Sequence, residues 1–206
     1  MTVRLIIARH GNTFTADETP RRIGAKTDLP LTEAGVAQGR RLGVWLRDNG
    51  MVPDVVYSSH LQRTRQTAQA ALDEMQVRRP IHQSDIFDEI DHGPDENKTD
   101  PEIVARLGLN AFSNWEQNNQ MPREWSPQPD ALRRRWLDFV KLCETEYRDR
   151  TVLVFTSNGV ARFAPLVASN GADVVTSKNR KMSTGALSIF EGSGGLWMIS
   201  HWNVKP

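Results

Sequence analysis

A chain of 206 residues, 38% hydrophobic and 25% charged, is long enough for one substantial core and has the composition of an ordinary globular protein, so one domain spanning 1–206 is expected. Its 26 Lys and Arg are balanced by 25 Asp and Glu to a formal net charge of +1, which excludes a general electrostatic attraction to nucleic acid or to a membrane surface.

Val3 to Ala8 is an apolar run that reads as a buried strand, and Arg9-His10-Gly11-Asn12-Thr13 is the loop leaving it. The run is too short for the core of a signal peptide and carries Arg4, and no stretch approaches the roughly 18 to 20 apolar residues of a membrane span, so a cytoplasmic protein is expected. Thr32 opens a helix to about Asp48, with a Thr-Glu-Ala-Gly start and an Asn49-Gly50 stop. Asp54 to Tyr57 is a short strand, Ser58-Ser59 precede a helix from about Leu61 to Met75, and Ile81 to Ser84 reads as a further strand. Helices follow at Pro101 to Leu107 and Asp130 to Arg148. In the second of these, Trp136, Phe139, Val140, Cys143 and Tyr147 recur at helical spacing. The single cysteine excludes an internal disulfide and reads as a buried helix residue rather than a nucleophile.

Thr151 to Phe155 is a strongly apolar strand, Val160 to Asn170 reads as helix, and the end is a hairpin: Ala186 to Glu191, a Gly-Ser-Gly-Gly turn, then Leu196 to Trp202. Strands alternating with helices give an α/β layer architecture. The stretch Asn110 to Pro129 has no clean period; it holds three prolines, Trp115, Trp125 and a cluster of Asn and Gln. It reads as a solvated connection or as a substrate lid, with equal weight.

In α/β sheets ligands bind at the carboxyl ends of strands. Three segments leave strands there with suitable chemistry: Arg9-His10-Gly11; Ser58-Ser59-His60-Leu61-Gln62-Arg63-Thr64; and Thr156-Ser157-Asn158-Gly159. Arg-His-Gly alone is a weak signal. Here it is followed in order by Gly24-Ala-Lys-Thr-Asp28-Leu-Pro30-Leu-Thr32-Glu-Ala-Gly35 and by Ser58-Ser59-x-Leu61-x-Arg63-Thr64-x-Gln66-Thr67.

With these motifs the chain resembles the histidine phosphatase (phosphoglycerate mutase-like) superfamily, most specifically over its first seventy residues. The resemblance implies a three-layer α/β/α sandwich with a mostly parallel central sheet and a C-terminal hairpin, with a lid-like insertion around 93–129. It also implies phosphoryl transfer through a phosphohistidine at His10, with Arg9, Arg63 and Asn12 binding phosphate. A neutral imidazole must attack phosphorus in line while cations screen the phosphoryl oxygens. Glu89, in Asp88-Glu89-Ile90-Asp91-His92-Gly93, falls where the family places its general acid. A solvated acidic loop is the bland alternative, and a metal site of these acids with His92 ranks below both because no paired-His or His/Cys spacing is present.

The family's second histidine is missing. Counting from the strand, Ser157 stands in its column; a one-residue shift would put Asn158 there, and either offers only a neutral donor to phosphate. His92 is expected to line the pocket or pack, His60 to border the site, and His82 and His201 to be structural. The implied reaction is phosphomonoester hydrolysis of a small phosphorylated substrate, with no metal, no organic cofactor, no nucleic acid and no membrane; a homodimer is compatible. A mutase-type phosphotransferase is the alternative, against which stands Ala16 where mutases carry Asn. A phospho-ligand-binding module, motivated by Ser157, is the other.

Overall fold

The computed structural model describes residues 2–206. Its centre is one six-stranded sheet in the order β3-β2-β4-β1-β5-β6, built from β1 (Thr2–Arg9), β2 (Val55–Ser58), β3 (Ile81–Gln83), β4 (Thr151–Thr156), β5 (Leu187–Ser193) and β6 (Leu196–Val204). β1 pairs with β4, β4 with β2, and β2 with β3, all parallel; β5 runs antiparallel to β1, and β6 antiparallel to β5. The three-layer architecture with a C-terminal hairpin expected from sequence is therefore the one observed.

The continuous apolar run of β1 follows from burial on both faces, as in parallel sheets generally. Leu5 and Ile7 point into one core with Trp136, Phe139, Val140 and Cys143 of α5 (Pro129–Glu146). Ile6 and Ala8 point into the other, with Leu42 and Leu46 of α1 (Glu33–Asp48) and Ala68 and Leu72 of α2 (Gln62–Met75). The Thr32 side chain caps α1 by accepting from the Gly35 N–H. Cys143 is fully buried, and its burial raises the thiol to about 12, which suits the structural reading.

Two segments depart from the sequence expectation. Within 110–129, residues Leu109–Asn118 form a helix, α4, directly after α3 (Asp100–Leu107). Asn, Ser and Gln hide the period, but Trp115 is buried in the α5-side core and supplies the packing that overrides weak propensity. The second departure is Val160 to Asn170. Instead of one helix it contains the short α6 (Asn158–Ala161) and a 3-10 turn at Ala164–Val167, followed by α7 (Gly171–Val174). Pro165, lacking an N–H, starts the 3-10 turn and cannot continue the helix before it. No helix among the described residues is long and apolar enough to cross a membrane.

Candidate active site

The strand register brings the three chemical segments together. β1, β4 and β2 are neighbours, with Arg9 opposite Thr156 and Ser58 opposite Phe155. Beyond the strands the ladder continues: the His10 N–H donates to the Thr156 carbonyl (3.1 Å) and the Ser59 N–H to that of Phe155 (3.1 Å). His10, Ser157 and the start of α2 therefore leave one edge of the sheet side by side. The loop after β1 is tied down from below, since Gly11 N–H donates to Thr67 Oγ1 (3.0 Å) and Asn12 N–H to Gln38 Oε1 (2.7 Å).

His10 is 4% exposed. Its Nδ1 lies 2.7 Å from the Gly11 carbonyl oxygen. A carbonyl only accepts, so Nδ1 carries the proton and Nε2 keeps its lone pair. Burial, and after it the positive charges of Arg63 and Arg9, hold the imidazole well below its ordinary value. The ring is thus neutral, nucleophilic at Nε2, and oriented by backbone.

Arg9 donates from Nη1 to the Met182 carbonyl (2.5 Å), and burial lowers it to about 10, still charged at neutral pH. Arg63 is fully buried. Its Nη1 donates to the Thr27 carbonyl (2.8 Å) and its Nη2 to the carbonyls of Gly24 (3.2 Å) and Ile23 (3.4 Å). Arg63 is thus held from the backbone of the 23–27 loop, whereas Arg9, half-buried, lines the cavity. The charge of Arg63 depresses the His10 imidazole more than that of Arg9 does. Both arginines keep one buried nitrogen, Nε, without a hydrogen-bond partner, as does Ser157 at Oγ. An unsatisfied buried donor costs about 1–3 kcal/mol, so three of them on residues around one buried imidazole are the mark of a site arranged for an acceptor-rich ligand.

Glu89, 7% exposed, accepts at Oε1 from the Ile90 N–H (2.9 Å) and at Oε2 from the Gly159 N–H (3.0 Å). Burial raises its pKa, against the opposing pull of those two N–H groups and of Arg63 and Arg9. A carboxyl biased toward its acid form and a neutral imidazole therefore line the same cavity. Gly159 is required by the close approach, because a Cβ there would overlap Glu89 Oε1. A Gly159→Ala variant is expected to displace the Glu89 carboxyl and break the bond it accepts from the residue-159 N–H, which the shift of that amide resonance checks.

Ser157 and Asn158 take different places. Ser157 is fully buried and directly follows Thr156, whose carbonyl accepts from the His10 N–H. Asn158 lines the cavity, but its Oδ1 accepts from the Met182 N–H (3.0 Å), and the Met182 carbonyl is the acceptor of Arg9. Asn158 is thus linked to Arg9 through the Met182 peptide, a connection that leaves no side-chain signal in the sequence because Met182 contributes only backbone groups. Asn12 lines the cavity with its Oδ1 accepting from Thr184 Oγ1, which leaves the amide N–H2 as its free end.

His92 both lines the cavity and packs, edge-on to Trp125 at 4.6 Å, and burial lowers it to about 3. His60 is exposed and held by Asp88, with Nδ1 to Oδ2 at 2.9 Å. His82 and His201 lie on β3 and β6 and are exposed. The acids near Glu89 do not converge: Asp91 pairs with Lys26, Asp95 with Arg106 and Trp125, and Glu96 with the 24–27 loop. No group of His, Cys, Asp and Glu among the described residues could hold a metal ion.

The cavity measures about 850 Å³ and runs from His10 and Arg9 to Trp115, Glu116, Arg22 and Lys181. The far end was not legible in the sequence. Glu116 pairs with Arg22 (3.0 Å), and Arg162, buried beneath, stacks 4.1 Å from the Trp115 ring centroid and donates to the Glu116 carbonyl (2.8 Å).

The chain is similar to known proteins. The model of the histidine phosphatase superfamily, branch 1, matches residues 5–205. The chain belongs to the histidine phosphatase superfamily. It is 31% identical over 123 residues to a 2,3-bisphosphoglycerate-dependent phosphoglycerate mutase of Bifidobacterium longum, a match covering 59% of the chain and 49% of the mutase. The chain spans about half the length of the curated relatives it matches at that level. Against the uncharacterized phosphatase PhoE of Bacillus subtilis it is 26% identical over 199 residues, covering 97% of the chain and 93% of that protein. Among solved structures, YhfR of Bacillus stearothermophilus superposes with a TM-score of 0.77 at 25% identity, covering 98% of this chain and 96% of that one. A mycobacterial glucosyl-3-phosphoglycerate phosphatase in complex with VO3 superposes with a TM-score of 0.79 at 20% identity over 98% of both chains, a likeness of fold.

Proposed function

We propose that this histidine phosphatase hydrolyses small phosphate monoesters through a phosphohistidine at His10. The observation that carries the reading is the neutral, backbone-oriented imidazole of His10, which lines the cavity with the half-buried Arg9 and feels the charge of the buried Arg63, each arginine keeping an unpartnered Nε.

In the first half-reaction His10 Nε2 attacks phosphorus, the P–O bond to the alcohol breaks, and Glu89 gives its proton to the departing oxygen. In the second, the Glu89 carboxylate takes a proton from water, the water oxygen attacks phosphorus, and the P–N bond breaks to release phosphate and restore His10. Arg9 and Arg63 offset the charge on the phosphoryl oxygens, and Asn12 and Ser157 supply neutral donors. No metal or organic cofactor enters this scheme. The 93–129 segment works as the substrate-facing lid, contributing Trp115 and Glu116 to the cavity.

A mutase-type phosphotransferase is the second reading, favoured by the 31% identity to phosphoglycerate mutases. Turnover of small phosphate esters in ¹⁸O-water separates the two. Hydrolysis gives inorganic phosphate with one solvent oxygen, inhibited by vanadate and unaffected by chelators. Faster transfer to a second phosphoester than to water would mean a mutase, and phosphate binding without turnover would mean a binding module.

A further inference from the structure

Resting on that reading of Arg63, we propose that Glu96 is a positioning residue of the phosphate site, holding the backbone cradle that aims the Arg63 guanidinium.

Among the described residues Arg63 has no carboxylate partner within ion-pair distance; its terminal nitrogens end on the carbonyls of Ile23, Gly24 and Thr27. A carbonyl fixes a guanidinium only as well as the loop that carries it is fixed. The loop at 23–27 belongs to no helix or strand, so side chains must set its shape. Glu96 does this at the two residues that matter most. Its Oε2 accepts from the Gly24 N–H (2.9 Å) and from Thr27 Oγ1 (2.6 Å), while Oε1 accepts from the His92 N–H (3.1 Å) and, at 3.5 Å, from the Lys26 N–H. Both carboxylate oxygens are thus engaged by the loop on one side and by the segment after Glu89 on the other.

The fit leaves no slack. Gly24 is buried, and a Cβ there would overlap Glu96 Oε1, the Ile90 carbonyl and His92 Nδ1. Ala25 N–H to the Ile90 carbonyl (3.0 Å) and Lys26 to Asp91 (2.7 Å) complete the seam, so Arg63 and Glu89 are referenced to the same short segment, 89–96. Glu96 also contributes a negative charge that favours the buried Arg63 cation. The carboxylate therefore acts at one remove, through two peptide groups, on the one unpartnered Nε–H of Arg63.

The test uses the full chain. Glu96→Gln replaces one acceptor oxygen by a donor that cannot receive the Gly24 and Thr27 hydrogens together with that of His92, and Thr27→Val removes a single bond while keeping the Thr27 carbonyl. Three readouts are taken: the Arg63 Nε–H resonance, assigned by its loss in Arg63→Lys; vanadate affinity; and kcat on a small phosphate ester. The expectation is a broadened or shifted Arg63 resonance in both variants, with vanadate affinity and kcat lower by about 10-fold or more in Glu96→Gln and by a few-fold in Thr27→Val. Glu96→Gln added to Arg63→Lys should cost no more than Arg63→Lys alone. Unchanged Arg63 resonances in both variants, or losses that multiply in the double variant, would overturn the proposal. If Glu96→Gln fails to fold, Thr27→Val decides. Failure of the phosphatase reading is a separate result, visible as a wild type that hydrolyses no phosphoester while its Arg63 resonance still responds to Glu96.

Discussion

His10→Ala is expected to remove essentially all phosphatase activity, at least about 10⁴-fold in kcat, because in a covalent mechanism deleting the nucleophile leaves only what the remaining site does by binding and charge. The substitution is otherwise mild. The His10 backbone N–H still reaches the Thr156 carbonyl, and the ring's one hydrogen bond, to the Gly11 carbonyl, is local. Vanadate or phosphate should still bind, since Arg9, Arg63 and Ser157 are untouched, so anion affinity measured by calorimetry separates a lost nucleophile from a collapsed site. Wild type and His10→Ala turning over at equal rates would dismiss the phosphohistidine. His10 also bears on the acid side of the pH profile. Its imidazole is held well below its ordinary value by burial and by two arginine charges, so falling pH does not protonate it until far below pH 6.5, and no loss of kcat/KM from His10 is expected between about pH 7 and 6.

The second large effect is Glu89→Gln, with an expected loss of about 10²- to 10⁴-fold in kcat on alkyl phosphates. In kcat/KM, which reports the first half-reaction alone, the loss should shrink sharply on an aryl phosphate whose departing phenolate needs no proton, a contrast that a merely structural role would not produce. The sign of the pH dependence follows from the direction of the shift. Burial raises Glu89, so the acid form persists above the usual carboxylate range and is lost as pH rises through the raised value. Wild-type kcat/KM on an alkyl phosphate should therefore fall on the alkaline side, and Glu89→Gln should lack that limb. A variant that keeps the limb would assign it to another group.

How much of this could be read from the chain follows from the range of the forces involved. β1 and the loop at His10 were legible because a buried parallel strand announces itself by a local apolar run, and the reactive pair begins where the run stops. Arg63 was legible as a residue, through Ser-Ser-x-Leu-x-Arg, but its setting was not, because its partners are backbone carbonyls 36 to 40 positions earlier. The same holds for Arg9, whose acceptor at Met182 is 173 positions away and carries no side-chain signature. Helix α4 escaped because Asn114, Gln117 and Asn118 mask its period; what stabilises it is Trp115 stacked on Arg162, a contact only the fold creates. The segment after β4 has the apolar content of one helix, and Pro165 breaks it.

The central claim is a covalent bond between phosphorus and His10, and acid-free rapid quenching of the enzyme during turnover, followed by peptide mass spectrometry, addresses it most directly. The account predicts a single phosphate on the peptide containing Arg9-His10-Gly11, stable to base, labile to acid, accumulating in Glu89→Gln, where return to water is slowed, and absent from His10→Ala. Turnover without any phosphorylated His10 peptide, or phosphate found on another residue, would contradict it.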